Sequence, residues 1–378
     1  MKSLQEQAIA AHRKLRGKIG VLSKASLKTP EDLKIYYTPG VGAVSSYLHL
    51  YKEETRNLTI KGNAVAVVSD GSRVLGLGDI GPEAALPVME GKAMIFKEFA
   101  NIDAFPIVLA TKDVKEIVST IKNIAPGFGA INLEDISAPR CFAIEKQLQE
   151  TLDIFVMHDD QHATAIVALA GLLNAFKVIQ KDLRKSRIAI IGAGAAGSAV
   201  IKLLAAYGAK HLIVVDENGI LSKKRQGMET YQKELAFLSN AEGEEGDLAH
   251  ALKGAQAMIG LSAPNIVKPE YIERMVQKPI VFALANPVPE IMPDLAKQAG
   301  AFIVATGRSD FENQVNNALV FPGIFRGALD RGVKRVTETI QINAAKKLSG
   351  LIATPSAHKI IPSLFDKRVV PAVASAVR

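Results

Sequence analysis

Four ionisable side chains stand directly before a long apolar run in VMHDDQHATAIVALAGLLNAF, residues 156–176. They are His158, Asp159, Asp160 and His162. A carboxylate resists removal from water unless another group offsets its charge. One aspartate could serve as the N-cap of the following helix, but two aspartates flanked by histidines exceed what capping requires. The segment therefore leaves two hypotheses open, a helix cap and a metal or acid–base site.

A second acidic pair stands in a comparable place. The run GAINL predicts a strand that ends directly in Glu134 and Asp135, and DIFVM predicts another that ends at His158. Open α/β sheets place their ligands at the carboxyl ends of strands. Glu134, Asp135 and Asp160 supply hard oxygen ligands that suit Mg²⁺ or Mn²⁺. Zinc is not expected, because nitrogen and sulfur donors are not clustered in the right way.

The segment RIAIIGAGAAGSAVIKLLAAYGAKHLIVVDENG has the order of a dinucleotide-binding Rossmann unit. A strand predicted over 187–191 runs into a glycine turn, a helix follows, and a strand over 211–215 ends at Asp216. The candidate cofactor residues of the turn are Gly192, Gly194, Ala195, Ala196 and Gly197. Asp216 is expected to bind the ribose hydroxyls. The rival pattern GLGDIG at 76–81 lacks a matching acid at the end of a strand, and we interpret it as a tight loop with its backbone exposed to a ligand.

The acidic end of that unit predicts the choice of cofactor. Asp216 is followed by Glu217, and two carboxylates would repel the 2′-phosphate of NADP. The sequence therefore favours NAD over NADP. The basic run of residues 223–225 lies close enough in sequence to weaken this argument.

Composition argues against a disulfide-rich, a membrane-spanning and a nucleic-acid-binding protein. The chain has 378 residues, 48% apolar and 22% charged, which is typical of a globular protein with two domains. The single cysteine, Cys141, fits a reducing cytosol and is expected to be a buried thiol. The N-terminal segment predicts an amphipathic helix, and the longest apolar run is too short to cross a bilayer. The net charge of +8 is spread along the chain, so we expect a cytoplasmic protein without a nucleic-acid or membrane partner.

Apolar strand-like runs alternate with helical patterns, which predicts an α/β fold. The segment NAVAVVSDGSRVLGLG predicts a hairpin about Asp70 and Gly71. No linker is evident, so the motifs alone set the domain boundary. We expect a catalytic domain at 1–157 and a doubly wound Rossmann domain at 158–378, whose helical tail, 340–378, packs back on the first domain.

Eight blocks, taken in chain order, resemble the signatures of malic enzymes, and most of all the short bacterial NAD-dependent form. They are YTPGVG, RVLGLGDIG, EGKAMIFKEFANIDAFPIVL, INLEDISAPRCF, HDDQHATAI, GAGAAG, ALANPVPEI and GRSDFENQVNNALVFPGIFRGAL. The resemblance runs from Leu27 to Asp330. It implies an N-terminal α/β malic-enzyme domain followed by a Rossmann domain. It also implies oxidative decarboxylation of (S)-malate to pyruvate and CO₂, with reduction of NAD and with Mg²⁺ or Mn²⁺.

The resemblance assigns roles to individual residues. Tyr37 would be the general acid, and Lys92 the general base, with its pKa lowered by the metal and by partial burial. Asp159 would support the proton-transfer network. The implied substrate ligands are Arg73, Asn286 and Asn317, with Asn286 also near the cofactor, and the implied metal ligands are Glu134, Asp135 and Asp160. Each residue taken alone also has an ordinary structural interpretation.

One position departs from the family pattern, and rival functions stay open. Ala163 stands where the family commonly has glycine, and its methyl group could crowd the cofactor or alter the start of the helix. The rivals are a malolactic-type enzyme that retains its NADH, an enzyme that mainly decarboxylates oxaloacetate, and a catalytically silent nucleotide-sensing protein. The amphipathic stretch from Gln5 to Leu15 suggests a homodimer.

Overall fold

Two β-sheets follow one another along the chain in the computed structural model, which describes residues 3–378. The first sheet contains β1 (Ala64–Ser69), β2 (Asp103–Val108), β3 (Ala130–Leu133) and β4 (Phe155–His158). These strands lie parallel in the order β2-β1-β3-β4. Both acidic pairs therefore follow neighbouring strands and meet at one edge of the sheet.

The second sheet has the strand order of a doubly wound dinucleotide-binding fold. It contains β5 (Arg187–Ile191), β6 (His211–Asp216), β7 (Gly219–Ile220), β8 (Ala257–Gly260), β9 (Ile280–Ala283) and β10 (Ile303–Thr306). The order is β10-β9-β8-β5-β6-β7. All neighbours are parallel except β7, a two-residue strand that pairs antiparallel with β6. The predicted α/β class and the Rossmann unit are confirmed.

Both sheets share one hydrophobic core. Val65 and Val67 of β1 pack in the same cluster as Ile188 and Ile190 of β5. The alternate residues of β1 and β5 point into two separate clusters on the outer faces. Since both faces are buried, these strands are continuously apolar, as parallel strands usually are.

The helices of the first half are α1 (Leu4–Leu15), α2 (Pro30–Tyr36), α3 (Gly40–Leu50), α4 (Thr55–Leu58), α5 (Pro82–Ala100), α6 (Val114–Ile124) and α7 (Arg140–Thr151). The predicted hairpin about Asp70 and Gly71 is wrong, because β1 lies between β2 and β3 and has no free edge for an antiparallel partner. Asp70 instead accepts hydrogen bonds from Ser72 and pairs with Arg140 at 2.8 Å. This partly buried pair holds the loop after β1 over the acidic end of the sheet.

Helix α8 (Asp159–Val178) connects the two halves and is buried on most sides. It packs against α9 (Ala195–Tyr207) and α15 (Glu338–Ser349). Ala163 is buried in the shared core, and α8 begins four residues before it, so the alanine does not interrupt the helix start.

The remaining helices are α10 (Thr230–Leu238), α11 (Leu248–Leu252), α12 (Pro269–Ile272), α13 (Pro293–Gln298), α14 (Phe321–Arg331) and α16 (Val369–Ala374). In the tail, α15 packs on α8 and α9, and α16 packs on α14. Phe365 also contacts Phe99 of α5, with 5.9 Å between ring centroids. None of the helices described in residues 3–378 is both long and apolar enough to cross a bilayer.

Candidate active site

A cleft of about 1130 Å³ is lined by residues of both halves. It brings together most of the residues that the sequence singled out: Arg73, Lys92, Glu134, Asp135, Asp160, Gly192, Gly194, Ala195, Ala196, Asp216, Asn286 and Asn317. Asp159 and Gly197 are buried next to lining residues. Tyr37 follows α2, is 63% exposed and does not line the cleft. One chain therefore assembles the predicted site except for its general acid.

The three predicted metal ligands form one cluster at the carboxyl ends of β3 and β4. Glu134, Asp135 and Asp160 each offer one oxygen, and these oxygens lie within 4.8 Å of one another. The backbone N–H of Asp135 donates to Asp160 Oδ2 at 2.9 Å. Asp135 has φ of +53°, a conformation that non-glycine residues adopt rarely and mostly where the surroundings impose it.

The electrostatics of this cluster fit a divalent cation. Burial and the neighbouring carboxylates raise the pKa of Glu134, and burial with the charge of Asp160 raises the pKa of Asp135 to about 8. Asp135 Oδ2 is buried and has no hydrogen-bond partner among residues 3–378. Three crowded carboxylates with an unpartnered buried oxygen match the ligand set of Mg²⁺ or Mn²⁺.

Lys92 of α5 lies beside this cluster. Its ammonium contacts the Asp159 carboxylate and lies 3.0 Å from Glu134 Oε1. Burial lowers the pKa of Lys92, but the charges of Asp159, Glu134 and Asp160 together raise it more, so the pKa lies above its ordinary value. A lowered pKa is expected with a metal ion bound, so that expectation stays a prediction. The Lys92 ammonium also lies 4.5 Å from the ring centroid of Phe321.

Asp159 connects Lys92 to the second half of the chain. Its carboxylate is fully buried and accepts a hydrogen bond from Asn317 Nδ2 at 3.0 Å. The N-cap of α8 is His158, whose side chain makes no capping hydrogen bond, so the capping hypothesis for the aspartates is wrong. Both aspartates lie in the first turn of α8, where the helix dipole favours negative charge.

Arg73 lies on the loop after β1 and lines the cleft. Its backbone N–H donates to the carbonyl of Asp135 at 3.0 Å. This bond ties the arginine to the acidic cluster, where its guanidinium can pair with a substrate carboxylate.

The glycine turn leaves space for a dinucleotide to approach its backbone. A Cβ on Gly197 would stand 1.9 Å from the carbonyl oxygen of Gly192, whereas a Cβ on Gly194 would have no atom within 4 Å. Gly197 thus allows α9 to pack on the turn, and Gly194 leaves the backbone open to the cleft. The N-terminus of α9, with Ala195 and Ala196, also faces the cleft and suits an anionic pyrophosphate.

Asn286 follows β9 and meets the loop of residues 76–81. A Cβ on Gly76 would stand 2.3 Å from the Asn286 carbonyl oxygen, so this loop is tight, as predicted, and it touches the second half of the chain. Glu290, which the sequence did not mark, is buried and accepts hydrogen bonds from the backbone N–H groups of Ser262 and Ala285. Glu290 therefore holds the loops after β8 and β9. No local sequence pattern distinguishes it from an acidic residue in an ordinary turn.

Glu145 of α7 is a second residue that the sequence analysis missed. It accepts hydrogen bonds from the backbone of His158 at 2.8 Å, from Gln161 at 3.2 Å and from His162 at 2.9 Å. Burial raises the pKa of Glu145, but the contacts with His162 and His158 together lower it more, and the net pKa lies below its ordinary value. His162 is thus a partner of Glu145, and the two residues hold the first turn of α8.

Two family signatures cover most of the chain. Residues 16–149 match the malic enzyme N-terminal domain, and residues 162–378 match the malic enzyme NAD binding domain. The chain is 52% identical over 363 residues to the NAD-dependent malic enzyme of Geobacillus stearothermophilus, covering 96% of this chain and 76% of that protein. It is 48% identical to the bifunctional malic/malolactic enzyme of Bacillus subtilis, covering 99% of this chain and 92% of that protein.

Solved structures agree with these relatives. The crystal structure of the NAD-dependent malic enzyme from Thermotoga maritima superposes with a TM-score of 0.95 at 47% identity, covering 98% of each chain. Sequence, fold and the arrangement of the cleft all lead to the same assignment. The chain belongs to the malic enzyme family.

Proposed function

We propose that this protein catalyses the oxidative decarboxylation of (S)-malate to pyruvate and CO₂ with reduction of NAD. The observation that carries the proposal is the position of Lys92, between Glu134 and Asp159 at the acidic cluster. The same cleft is lined by the glycine turn of the dinucleotide-binding unit. A proton acceptor, a cation site and a hydride-acceptor site thus share one space.

Different residues of the cleft would bind the metal ion, the dinucleotide and malate. Glu134, Asp135 and Asp160 would hold Mg²⁺ or Mn²⁺, the turn of residues 192–197 would hold NAD, and Arg73 would pair with a malate carboxylate. When bound, NAD would supply the hydride acceptor, and the cation would supply a positive charge that polarises the substrate hydroxyl and offsets the carboxylate charges that raise the pKa of Lys92. We keep the division into a catalytic domain at 1–157 and a dinucleotide-binding domain at 158–378 as part of this proposal.

The chain's own residues move the protons. Lys92, once neutral, takes the proton of the malate hydroxyl while C2 is oxidised. Asp159 holds the resulting ammonium, and Asn317 orients that carboxylate. Arg73 and Asn286 keep the substrate aligned for loss of CO₂. Tyr37 then protonates C3 of the three-carbon enolate to give pyruvate.

Tyr37 requires a second chain in this proposal. None of the residues of α1, α2, α3 or α4 is buried. The segment of residues 4–58, which contains these helices, exposes large apolar side chains. They include Leu4, Ile9, Val21, Leu22, Leu33, Ile35, Val41, Tyr47 and Leu50. Helices this short are marginal in water without tertiary contacts. We infer a homodimer through this segment, in which Tyr37 serves the partner's cleft while Lys92 serves its own.

A malolactic activity is the second candidate. The relative from Bacillus subtilis is named a bifunctional malic/malolactic enzyme, and it matches nearly the full length of both chains. In that case NADH would stay bound and reduce the product to lactate. Free NADH and pyruvate indicate the malic enzyme reaction, whereas lactate without free NADH indicates the malolactic one.

The test measures malate-dependent absorbance of NADH with Mn²⁺ and in excess chelator, together with pyruvate and lactate. We expect NADH and pyruvate only when Mn²⁺ is present. Asp160→Ala should abolish this activity and weaken Mn²⁺ binding while NAD still binds, because the glycine turn is untouched. Full activity in excess chelator would contradict the proposed cation site.

A further inference from the structure

The carboxylate of Asp216 is fully engaged at its end of the cleft. Its Oδ1 accepts hydrogen bonds from Arg225 Nη1 and from the backbone N–H of Asn218, each at 2.8 Å. Its Oδ2 accepts from Arg225 Nη2 at 2.7 Å and from Gln232 Nε2 at 3.1 Å. A carboxylate offers about four lone-pair sites. Asp216 therefore has no site left for ribose hydroxyls unless one of its partners moves.

Arg225 changes the charge that a dinucleotide meets at this position. Its guanidinium pairs with both oxygens of Asp216, and the side chains are only 17% and 5% exposed, so solvent screens the pair weakly. The pair is neutral overall. Glu217, which is exposed, remains as the acid that repels a phosphate. A guanidinium fork binds a phosphate as well as it binds a carboxylate.

We propose that Arg225 is a cofactor-specificity residue whose phosphate-binding guanidinium is held by Asp216. A 2′-phosphate would have to displace the Asp216 carboxylate from Arg225, whereas an unphosphorylated ribose needs only one of the weaker partners to move. The competition between carboxylate and phosphate for one guanidinium thus sets the ratio of NAD to NADP binding. This inference rests on the proposed function, because it takes a dinucleotide to bind at the glycine turn.

A purely structural role for Arg225 predicts a different effect on dinucleotide binding. Its Nη1 also donates to the carbonyl of Gly219 at 3.1 Å, so the side chain could only hold the following loop against β6. Loss of a structural brace would weaken NAD and NADP binding together. A specificity role changes the ratio of the two affinities.

The experiment titrates NAD and NADP separately into ligand-free protein by calorimetry, without malate or metal. Asp216→Asn keeps the size of the side chain and removes the charge that holds Arg225. We expect it to tighten NADP binding by roughly tenfold, the scale of one charge-assisted hydrogen bond, and to weaken NAD binding. Adding Arg225→Gln to this variant should remove the gain.

Matched variants decide between the two roles. Lys224→Gln removes an exposed positive charge one residue away and should leave the Kd for NADP unchanged. Arg225→Gln alone should weaken NADP binding and retain NAD binding, since an unpaired Asp216 repels the 2′-phosphate. If the double variant keeps the gain of Asp216→Asn, or if Arg225→Gln weakens both dinucleotides equally, the specificity role is wrong. If the wild-type protein binds neither dinucleotide, the proposed function itself is wrong.

Discussion

At the residue scale, the proposed chemistry depends most on Lys92. We expect Lys92→Ala to lower kcat by about a hundredfold or more, the usual scale for a positioned acid–base group. Binding of NAD should be kept because the glycine turn is intact. Binding of Mn²⁺ should also be kept, since removing the ammonium leaves all three carboxylates in place. Steady-state kinetics and separate titrations of the two ligands measure these effects.

Lys97 offers a control on the same helix. It is exposed and pairs with Asp103 at 3.0 Å, outside the cleft. Lys97→Ala should retain wild-type kcat. Partial recovery of Lys92→Ala by small amines would support the role of Lys92 as proton acceptor. Turnover of Lys92→Ala near the wild-type rate would show that another group takes the hydroxyl proton.

At the element scale, substitutions of Gly194 and Gly197 in the βα turn should have different effects. Gly197→Ala places a methyl group against the Gly192 carbonyl, so the turn must shift and the ligand-free protein should melt at a lower temperature. Gly194→Ala meets no protein atom within 4 Å, so its melting temperature should be unchanged. The methyl group would nevertheless stand where the dinucleotide approaches, and NAD binding should weaken. Equal loss of stability in both variants would contradict these separate roles.

A substitution at Glu145 tests whether its hydrogen bonds stabilise the first turn of α8. Glu145→Ala would leave the buried hydrogen-bonding groups of His158, Gln161 and His162 without their acceptor. We expect the free energy of unfolding to fall by about 3 kcal/mol, as for loss of one member of a buried charged pair. Glu150→Ala, an exposed position on α7, should change it by less than about 0.5 kcal/mol. Urea denaturation compares the two variants, and similar losses would show that the Glu145 network adds little.

At the scale of the whole molecule, the position of Tyr37 predicts complementation between chains. A mixture of Lys92→Ala and Tyr37→Phe chains forms dimers in which one cleft has both native residues, if Tyr37 acts in the partner's cleft. Random pairing makes about half of the dimers mixed, so activity should recover to about a quarter of the wild-type value. Two differently tagged chains, co-expressed and purified together, give the measurement.

The control for this prediction is each variant alone, which should be nearly inactive. No recovery in verified mixed dimers would place Tyr37 and Lys92 in the same cleft. Sedimentation velocity tests the interface directly. Tyr47→Glu on the exposed apolar segment should yield monomers, whereas Leu295→Glu, exposed on α13, should leave the dimer intact.

Local patterns were enough to predict the strand ends that carry Glu134, Asp135 and Asp160. They were also enough for the glycine turn and for the acid that ends β6. These features depend on residues that lie close together in the sequence, because strand periodicity and the βα turn are local patterns. The resemblance of the eight blocks then led to the family.

Other features depend on contacts between distant parts of the chain. Lys92 and Asp159 are 67 residues apart, and Asn317 is 158 residues from Asp159, yet the three side chains meet in one network. The burial of β1 between two strands excluded the hairpin, and the packing of α7 against β4 turned Glu145 toward the start of α8. The pairing of Arg225 with Asp216 and the exposure of Tyr37 likewise follow from the fold. Such contacts are set by how sheets and helices pack, and a window of neighbouring residues carries no record of that packing.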